Sequence, residues 1–485
     1  MRFNLRIIIN ILSLLLMLIS VFMLICVPVD LAFEDESWES LLIGSGLSFF
    51  SGFIGWFFTR NTQDKALKKR DGYLIVTLGW IFMSAFGALP FVIHGSIPTY
   101  TDAFFETISG FTTTGASILN NIESMPHGLL FWRSFTQWIG GMGIIVLTVA
   151  ILPILGIGGM QLFLAEAPVV TPDKIQPRIK ETAKRLWLVY IGLTFTEAIL
   201  LYLGGMTVFD AINHSFTTMA TGGFSTRQDS IAFYDSAFIH YVIIFFMFLA
   251  GTNFTLTYFG VHGRFKKFVQ NEEFVTYFLV ILILAILTSM VLISKTNLMV
   301  EKSIRDALFQ VISIVTTTGF VTADYTSWTN FLTMLFLIMM FIGGSAGSTA
   351  GGVKIVRHLI LMKNSILELK RQLHPSAVIP VRFNKNAVTQ DISFNILAFI
   401  MIYIIVFGLG TMIMAMIGLD FETAIGSVAT CLGNIGPGIG SVGPVNNFYD
   451  IPIGGKWFLS FLMLLGRLEL FTVLILFSPY FWRKT

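Results

Sequence analysis

Four short segments of the chain share one arrangement: an acid, a half-apolar stretch and a glycine turn. They read Asp102-Ala-Phe-Phe-Glu-Thr-Ile-Ser-Gly-Phe-Thr-Thr-Thr-Gly115 and Asp210-Ala-Ile-Asn-His-Ser-Phe-Thr-Thr-Met-Ala-Thr-Gly-Gly223. The others read Asp306-Ala-Leu-Phe-Gln-Val-Ile-Ser-Ile-Val-Thr-Thr-Thr-Gly319 and Asp420-Phe-Glu-Thr-Ala-Ile-Gly-Ser-Val-Ala-Thr-Cys-Leu-Gly-Asn-Ile-Gly436. The acid lies thirteen residues before Gly115, Gly223 and Gly319; in the fourth segment it lies thirteen before Gly433 and sixteen before Gly436. An Asp suits a helix N-terminus, where its carboxylate meets the positive end of the dipole. The residues that follow make two to three helical turns, too few to cross a bilayer. Such a segment enters and leaves by one side, and its backbone at depth must be buried in protein or line a wet cavity. Four turns around one axis would present rings of carbonyl oxygens that dehydrate and select a monovalent cation. Glycine supplies backbone angles closed to other residues. One Thr-Thr-Thr-Gly is an ordinary loop; four copies, each with an upstream acid, are an ion site.

The elements that position these turns must be membrane helices. Of 485 residues, 55% are hydrophobic and 12% charged, and Phe (48) outnumbers Lys plus Arg (31). Mean hydropathy is +0.78. Soluble chains carry about a quarter charged residues, so a water-soluble enzyme, a disordered chain and a nucleic-acid binder are excluded. Apolar stretches fall at 7–29, 41–58, 73–93, 131–155, 186–205, 237–261, 274–294, 331–352, 391–417 and 456–481. Ten spans put both termini on one side. On that assumption 24 of the 31 basic residues face the cytoplasm, a strong positive-inside bias, and Arg133 falls on the outer side at a membrane edge. Each turn-bearing segment sits between two spans. The expected fold is therefore an all-α polytopic membrane protein, with two N-terminal helices (1–70) and four span–pore-loop–span repeats at 71–160, 161–263, 264–374 and 375–485. The first span follows Arg2 and Arg6 but is too long for a secretory signal, and reads as a retained anchor.

Two further features carry chemistry. Residues 343–352 hold Gly343, Gly344, Gly347, Ser348, Thr349, Gly351 and Gly352, followed by Lys354, inside the eighth apolar stretch. The i, i+4, i+8 glycines suit a close-packed helix face, but their density points to an irregular, movable intramembrane loop, since each weakens a helix by up to ~1 kcal/mol relative to Ala. Coupling to a partner through Lys354 and Arg357 is expected from the adjoining basic run. Arg467 lies too deep in the last span to snorkel; burial there costs at least ~2.5–3.5 kcal/mol. A water-filled pore would accommodate it as a positive barrier, and a staple to Glu197 or to backbone carbonyls is the alternative. The seven histidines show no metal-ligand spacing, and Cys26 and Cys431 imply no disulfide framework.

The layout resembles the Trk/Ktr/HKT superfamily of potassium transporters, most closely its bacterial TrkH/TrkG branch. The resemblance spans nearly the whole chain and rests on Phe-Thr-Thr-Thr-Gly115, Ala-Thr-Gly-Gly223-Phe-Ser, Val-Thr-Thr-Thr-Gly319-Phe and Cys-Leu-Gly-Asn-Ile-Gly436-Pro-Gly. It implies a K⁺ filter of Thr113, Thr114, Gly115; Thr221, Gly222, Gly223; Thr317, Thr318, Gly319; and Asn434, Ile435, Gly436. Gly436 is preferred to Gly433 because Asn434-Ile435 then takes the place of the Thr-Thr pair. It also implies that loop 343–352 gates the pore and that Arg467 stands below the filter. Expected partners are a second copy, a cytosolic nucleotide-binding TrkA-type subunit and the lipid bilayer. This chain itself would bind no cofactor; K⁺ is the transported ion. The place is the bacterial inner membrane, with uptake by a K⁺ channel; the alternatives are H⁺- or Na⁺-coupled symport and a poorly selective K⁺/Na⁺ channel. The rivals fit less well. An intramembrane hydrolase needs a base–nucleophile pair, and Arg467, Glu469 and Glu197 make none. An inverted-repeat transporter needs copies of opposite direction, whereas these all run the same way.

Overall fold

The computed structural model describes residues 3–61, 69–151, 179–296, 299–374 and 379–483. The basic residues Arg2, Lys65, Lys68, Lys174, Arg178 and Lys484 and the boundary at 160/161 lie outside them. The architecture is helical, with one two-stranded ribbon, β1 (Arg382–Phe383) against β2 (Asn386–Ala387). Helices α1 (Leu5–Ala32) and α2 (Trp38–Thr59) form the N-terminal pair. They approach closely because α2 offers small residues: a Cβ added to Gly52 would stand 2.6 Å from Ser13 O, and Ser45 Oγ donates to Ser20 O at 2.9 Å.

Four repeats follow. The first holds α3 (Lys69–Gly87), α4 (Leu89–His94), the short helix α5 (Tyr100–Phe111) and α6 (His127–Ile151). The second holds α7 (Ile179–Leu203), short α8 (Val208–Met219), α9 (Ala237–Ala250) and α10 (Phe254–Val261). After α11 (Lys266–Gln270), the third holds α12 (Glu272–Lys295), short α13 (Val300–Val315), α14 (Asn330–Met339) and α15 (Ile355–Leu373). The fourth holds α16 (Gln390–Ile417), short α17 (Phe421–Gly433), α18 (Ile453–Arg467) and α19 (Phe471–Leu474), and the chain ends in α20 (Pro479–Trp482). Both termini lie at one end: Phe3 packs on Phe481 and Trp482, and Arg70 donates to Arg483 O.

Among the described residues six helices are long and apolar enough to cross a bilayer, and two bent pairs bring the number to eight. The other two expected spans are α6, which runs to the edge of the described residues, and α14, which is ten residues long and then leaves helical geometry. A finding the apolar runs did not announce is that the helix after each glycine turn is broken partway. α6 breaks at Gly143 (φ 67°, ψ 154°). α9 and α10 meet at 114°, and α18 meets the α19 segment at 112°. α14 gives way to the glycine loop. The loop is not a helix face: Gly343, Gly347 and Gly352 take φ of 74°, 73° and 68°.

The acids of the four segments are not all N-caps as expected. Thr99 and Thr207 cap α5 and α8, and Asp102 and Asp210 sit at the third helical position. Thr-x-x-Asp is a capping box, in which the hydroxyl takes the orphan N–H and the acid answers three residues on. α13 starts at Val300, so Asp306 lies a turn and a half inside it. Only Asp420 is a true N-cap, accepting from Thr423 N–H at 3.1 Å. Hydrogen bonds from the Thr423 side chain and backbone hold its carboxyl below the usual carboxylate range.

Candidate ion pathway

All four short helices end in the same way. The N–H groups of Thr114, Gly222, Thr318 and Ile435 reach back five residues to the carbonyls of Ser109, Thr217, Ser313 and Thr430, at 2.9, 2.8, 2.8 and 3.0 Å. The residue before each is left-handed: Thr113 φ 51°, Thr221 φ 52°, Thr317 φ 57°, Asn434 φ 54°. This is the Schellman ending, whose left-handed residue is normally glycine. A β-branched residue there is strained by ~1–2 kcal/mol, and strain of this kind collects at functional sites. Two residues further on stands the glycine: Gly115 φ 81°, Gly223 φ 74°, Gly319 φ 83°, Gly436 φ 104°. Asn434-Ile435-Gly436 thus takes the same backbone path as the three Thr-containing turns, and Gly433 remains inside α17.

The turns meet in a ring. A Cβ added to Gly115 would overlap Gly222 O, one on Gly223 would overlap Thr318 O, and one on Gly319 would overlap Ile435 O. One on Gly436 would stand 3.0 Å from Thr114 O, which closes the circle. Each glycine therefore abuts the middle carbonyl of the next repeat. The Thr113, Thr221, Thr317 and Asn434 side chains are fully buried, and Thr113 Oγ1 and Asn434 Oδ1 have no hydrogen-bond partner among the described residues. Buried oxygens without donors suit a cation.

The glycine loop lies against this ring. Gly351 N–H donates to Thr317 Oγ1 at 2.6 Å, and a Cβ on Gly351 would touch Asn434 Cβ at 2.7 Å. Thr349 Oγ1 donates to Met219 O at 3.0 Å and to Ala250 O at 3.2 Å. Further back, Ser345 N–H bonds Gly251 O at 2.9 Å, Asn253 Nδ2 bonds Ala346 O at 2.7 Å, and Phe254 N–H bonds Gly347 O at 3.0 Å. A Cβ on Gly344 would stand 3.3 Å from Ser348 Oγ, so the loop is tightly folded on itself. Lys354 is buried and donates to Ala350 O, while Arg357 pairs with Glu469 and covers the Phe399 ring. Both cations, through which coupling to a partner is expected, are turned inward.

Arg467 is the last residue of α18, at the break in the last span. It donates to Thr349 O at 2.8 Å, to Gly141 O at 3.1 Å and to Gly140 O. Its guanidinium thus joins the loop of the third repeat to α6 of the first. These are bonds to backbone carbonyls, as the staple reading expected. The next residue back, Gly466, is held against the ring, since a Cβ there would stand 2.6 Å from Asn434 Oδ1.

Sequence reasoning passed over the polar wall behind the ring. Arg133, read from the sequence as a membrane-edge charge, is buried and pairs with Glu106 at 2.7 Å. Gln137, one turn on, bonds Gly222 O at 2.7 Å. Lys456 pairs with Asp102 at 2.6 Å, and Arg227 with Asp210 at 2.8 Å. The available signal was an Arg and a Gln four residues apart on an otherwise apolar helix.

Comparison with known proteins places this geometry. Residues 47–484 match the TrkH family, described as a cation transport protein. The Trk system potassium uptake protein TrkH of Halomonas elongata is 40% identical over 99% of this chain and 100% of its own length. The protein of the same name from Escherichia coli K12 is 44% identical over 93% of this chain and 92% of its own. The crystal structure of the potassium transporter TrkH from Vibrio parahaemolyticus superposes with a TM-score of 0.89 at 40% identity, covering 99% and 100% of the two chains. The four-turn ring thus sits in a full-length match of both sequence and fold, and the chain belongs to the TrkH family of cation transport proteins.

Proposed function

We propose that this chain takes up potassium across a bacterial inner membrane, through a filter of Thr113-Thr114-Gly115, Thr221-Gly222-Gly223, Thr317-Thr318-Gly319 and Asn434-Ile435-Gly436. The observation that carries the reading is the repeated left-handed turn, whose four glycines each abut the middle carbonyl of the next repeat. Carbonyls in such a ring replace the hydration shell of a monovalent cation. Potassium is the ion named for the relatives.

In this reading residues 71–160, 161–263, 264–374 and 375–485 are the four pore repeats and 1–70 an accessory helix pair. Loop 343–352 is the gate: it touches Met219, Thr317 and Asn434, and Arg467 extends it to Gly140 and Gly141. Arg467 lies among carbonyls at the ends of broken helices, where it both fastens the loop and repels a cation. The termini face the cytoplasm, as the basic residues at that end support. A homodimer regulated by a cytosolic nucleotide-binding TrkA-type subunit follows from the family resemblance.

The test is purified protein in proteoliposomes under imposed K⁺, Na⁺ and pH gradients. Potassium influx that follows the K⁺ gradient alone marks a channel; influx that also needs a H⁺ or Na⁺ gradient marks symport. Absence of K⁺ flux from folded protein, with and without the regulatory subunit, overturns the reading.

A further inference from the structure

The second repeat lacks a brace that the first and third turns share. In the first and third, the middle filter residue is a threonine whose hydroxyl bonds to a threonine two residues earlier: Thr114 to Thr112 and Thr318 to Thr316, each at 2.8 Å. At these places the second repeat has Gly222 and Ala220. Neither offers a side chain that could brace the turn, and Gly222-Gly223 is the most permissive backbone in the ring.

The place of the missing side chain is taken from another repeat. A Cβ built on Gly222 would overlap the carboxamide of Gln137, which α6 of the first repeat projects there. Gln137 Nε2 donates to Gly222 O at 2.7 Å, and its Oε1 accepts from Phe224 N–H at 3.0 Å. The amide orientation is fixed by its partners, since a carbonyl can only accept and an N–H only donate. Gln137 therefore brackets Gly223 from both sides, as a paired backbone strand would. The carbonyl it holds is the same Gly222 O that abuts Gly115.

Gln137 is braced in turn. Arg133 lies one turn earlier on the same helix, and its guanidinium sits 3.6 Å over the Phe224 ring and donates to Ser225 O at 2.9 Å. Its charge is met by Glu106, which also accepts from Ser117 Oγ and Ile118 N–H, both at 2.9 Å. Gln137, Arg133 and Glu106 are 0%, 2% and 1% exposed. The three residues hold the exits of the first and second filter turns in one buried network.

We propose that Gln137 is a specificity-determining positioning residue, a side chain lent by the first repeat that sets where the Gly222 carbonyl stands in the ring. The inference rests on the ring being a potassium filter. Selection between K⁺ and Na⁺ depends on how many carbonyl dipoles surround the ion and how firmly they are placed. Without Gln137, Gly222 O loses its lateral donor and can follow a smaller ion inward.

The experiment is tracer Rb⁺ uptake into proteoliposomes, competed by K⁺ or by Na⁺, for the parent, Gln137→Leu and Gln137→Glu. Leucine keeps roughly the volume and loses both bonds; glutamate, assayed up to alkaline pH so that it ionises despite burial, keeps the acceptor for Phe224 N–H and loses the donor to Gly222 O. Both should lower the preference for K⁺ over Na⁺ by about three- to tenfold, the worth of one hydrogen bond. A purely structural role would lower the melting temperature and total uptake and leave the competition ratio alone. An unchanged ratio in folded variants of a K⁺-preferring parent overturns the proposal. Where Gln137→Leu does not fold, Gln137→Glu, which differs by one atom, decides. A parent with no K⁺ preference overturns the filter reading itself, which is a distinguishable result.

Discussion

Replacing the four ring glycines one at a time by alanine should give unequal damage in an order that the geometry sets. Each glycine has positive φ, which costs a non-glycine residue ~1–2 kcal/mol. At Gly115, Gly223 and Gly319 the new methyl also overlaps a carbonyl oxygen of the next repeat. Relieving that overlap demands a backbone shift in the ring, at an overpacking cost of ~1–3 kcal/mol. The total for these positions is therefore ~2–5 kcal/mol. At Gly436 the nearest atom to an added Cβ, Thr114 O, is 3.0 Å away and the ring is already wider, so strain dominates. That variant should cost only ~1–2 kcal/mol. The assay pairs thermal unfolding in detergent with Rb⁺ uptake competed by K⁺ or Na⁺. Gly115→Ala, Gly223→Ala and Gly319→Ala should lose most of their K⁺ preference, and Gly436→Ala should retain the most. Equal loss at all four positions, or greatest loss at Gly436, would refute the argument that each glycine is fixed by its neighbour's carbonyl.

Two other perturbations test the inner side of the ring. Arg467→Ala removes the bonds to Thr349 O, Gly140 O and Gly141 O and should raise K⁺ flux, with Arg467→Lys intermediate; folded Arg467→Ala protein that conducts no more than the parent makes the arginine a staple alone. Removing either partner of the buried Arg357–Glu469 pair should destabilise the fold by about 3–5 kcal/mol by stranding the other charge, read as a lower melting temperature. The double variant Arg357→Ala/Glu469→Ala should lose less than the sum of the singles, and strict additivity would mean the pair does not interact.

The four glycine turns were legible because repetition multiplies a weak signal: four acids, four glycines and eight flanking apolar runs agree with one another. Of the breaks in the second helix of each repeat, only the glycine-rich one in the third was. Between Lys456 and Phe477 there is no proline and one glycine, Gly466, and hydropathy does not register a bend. The bend there is imposed by tertiary structure: Glu469 turns to meet Arg357, and Glu469 and Leu470 both take positive φ, 57° and 46°. A strained pair of ordinary residues leaves no trace in propensity. Arg133 was misread for a related reason. Its partner Glu106 lies on another helix, and a charge near the end of an apolar run looks interfacial until the partner is known. The acids at the start of the short helices were read as caps because Asp is favoured there; the threonines three residues ahead of Asp102 and Asp210 were the better signal.

The asymmetry among the repeats suits the proposed gate, a single loop set against a fourfold ring. A loop that lies across the axis can come from only one of the four copies, since four such loops would compete for the same space. Here the third repeat supplies it: its second helix opens into residues 340–354, whereas the second and fourth repeats break over only 251–253 and 468–470. The other repeats have become receptors for that loop. The second offers Met219 O and Ala250 O to Thr349, the fourth offers Asn434 to Gly351, and the first offers Gly140 O and Gly141 O to Arg467, which in turn holds Thr349 O. The same division applies to the wall, where the first repeat carries the glutamine that the second repeat's filter lacks. Four identical subunits could not make these one-sided exchanges. Fusing the copies into one chain lets each diverge, so that a near-symmetric ring of turns is met by a single asymmetric loop.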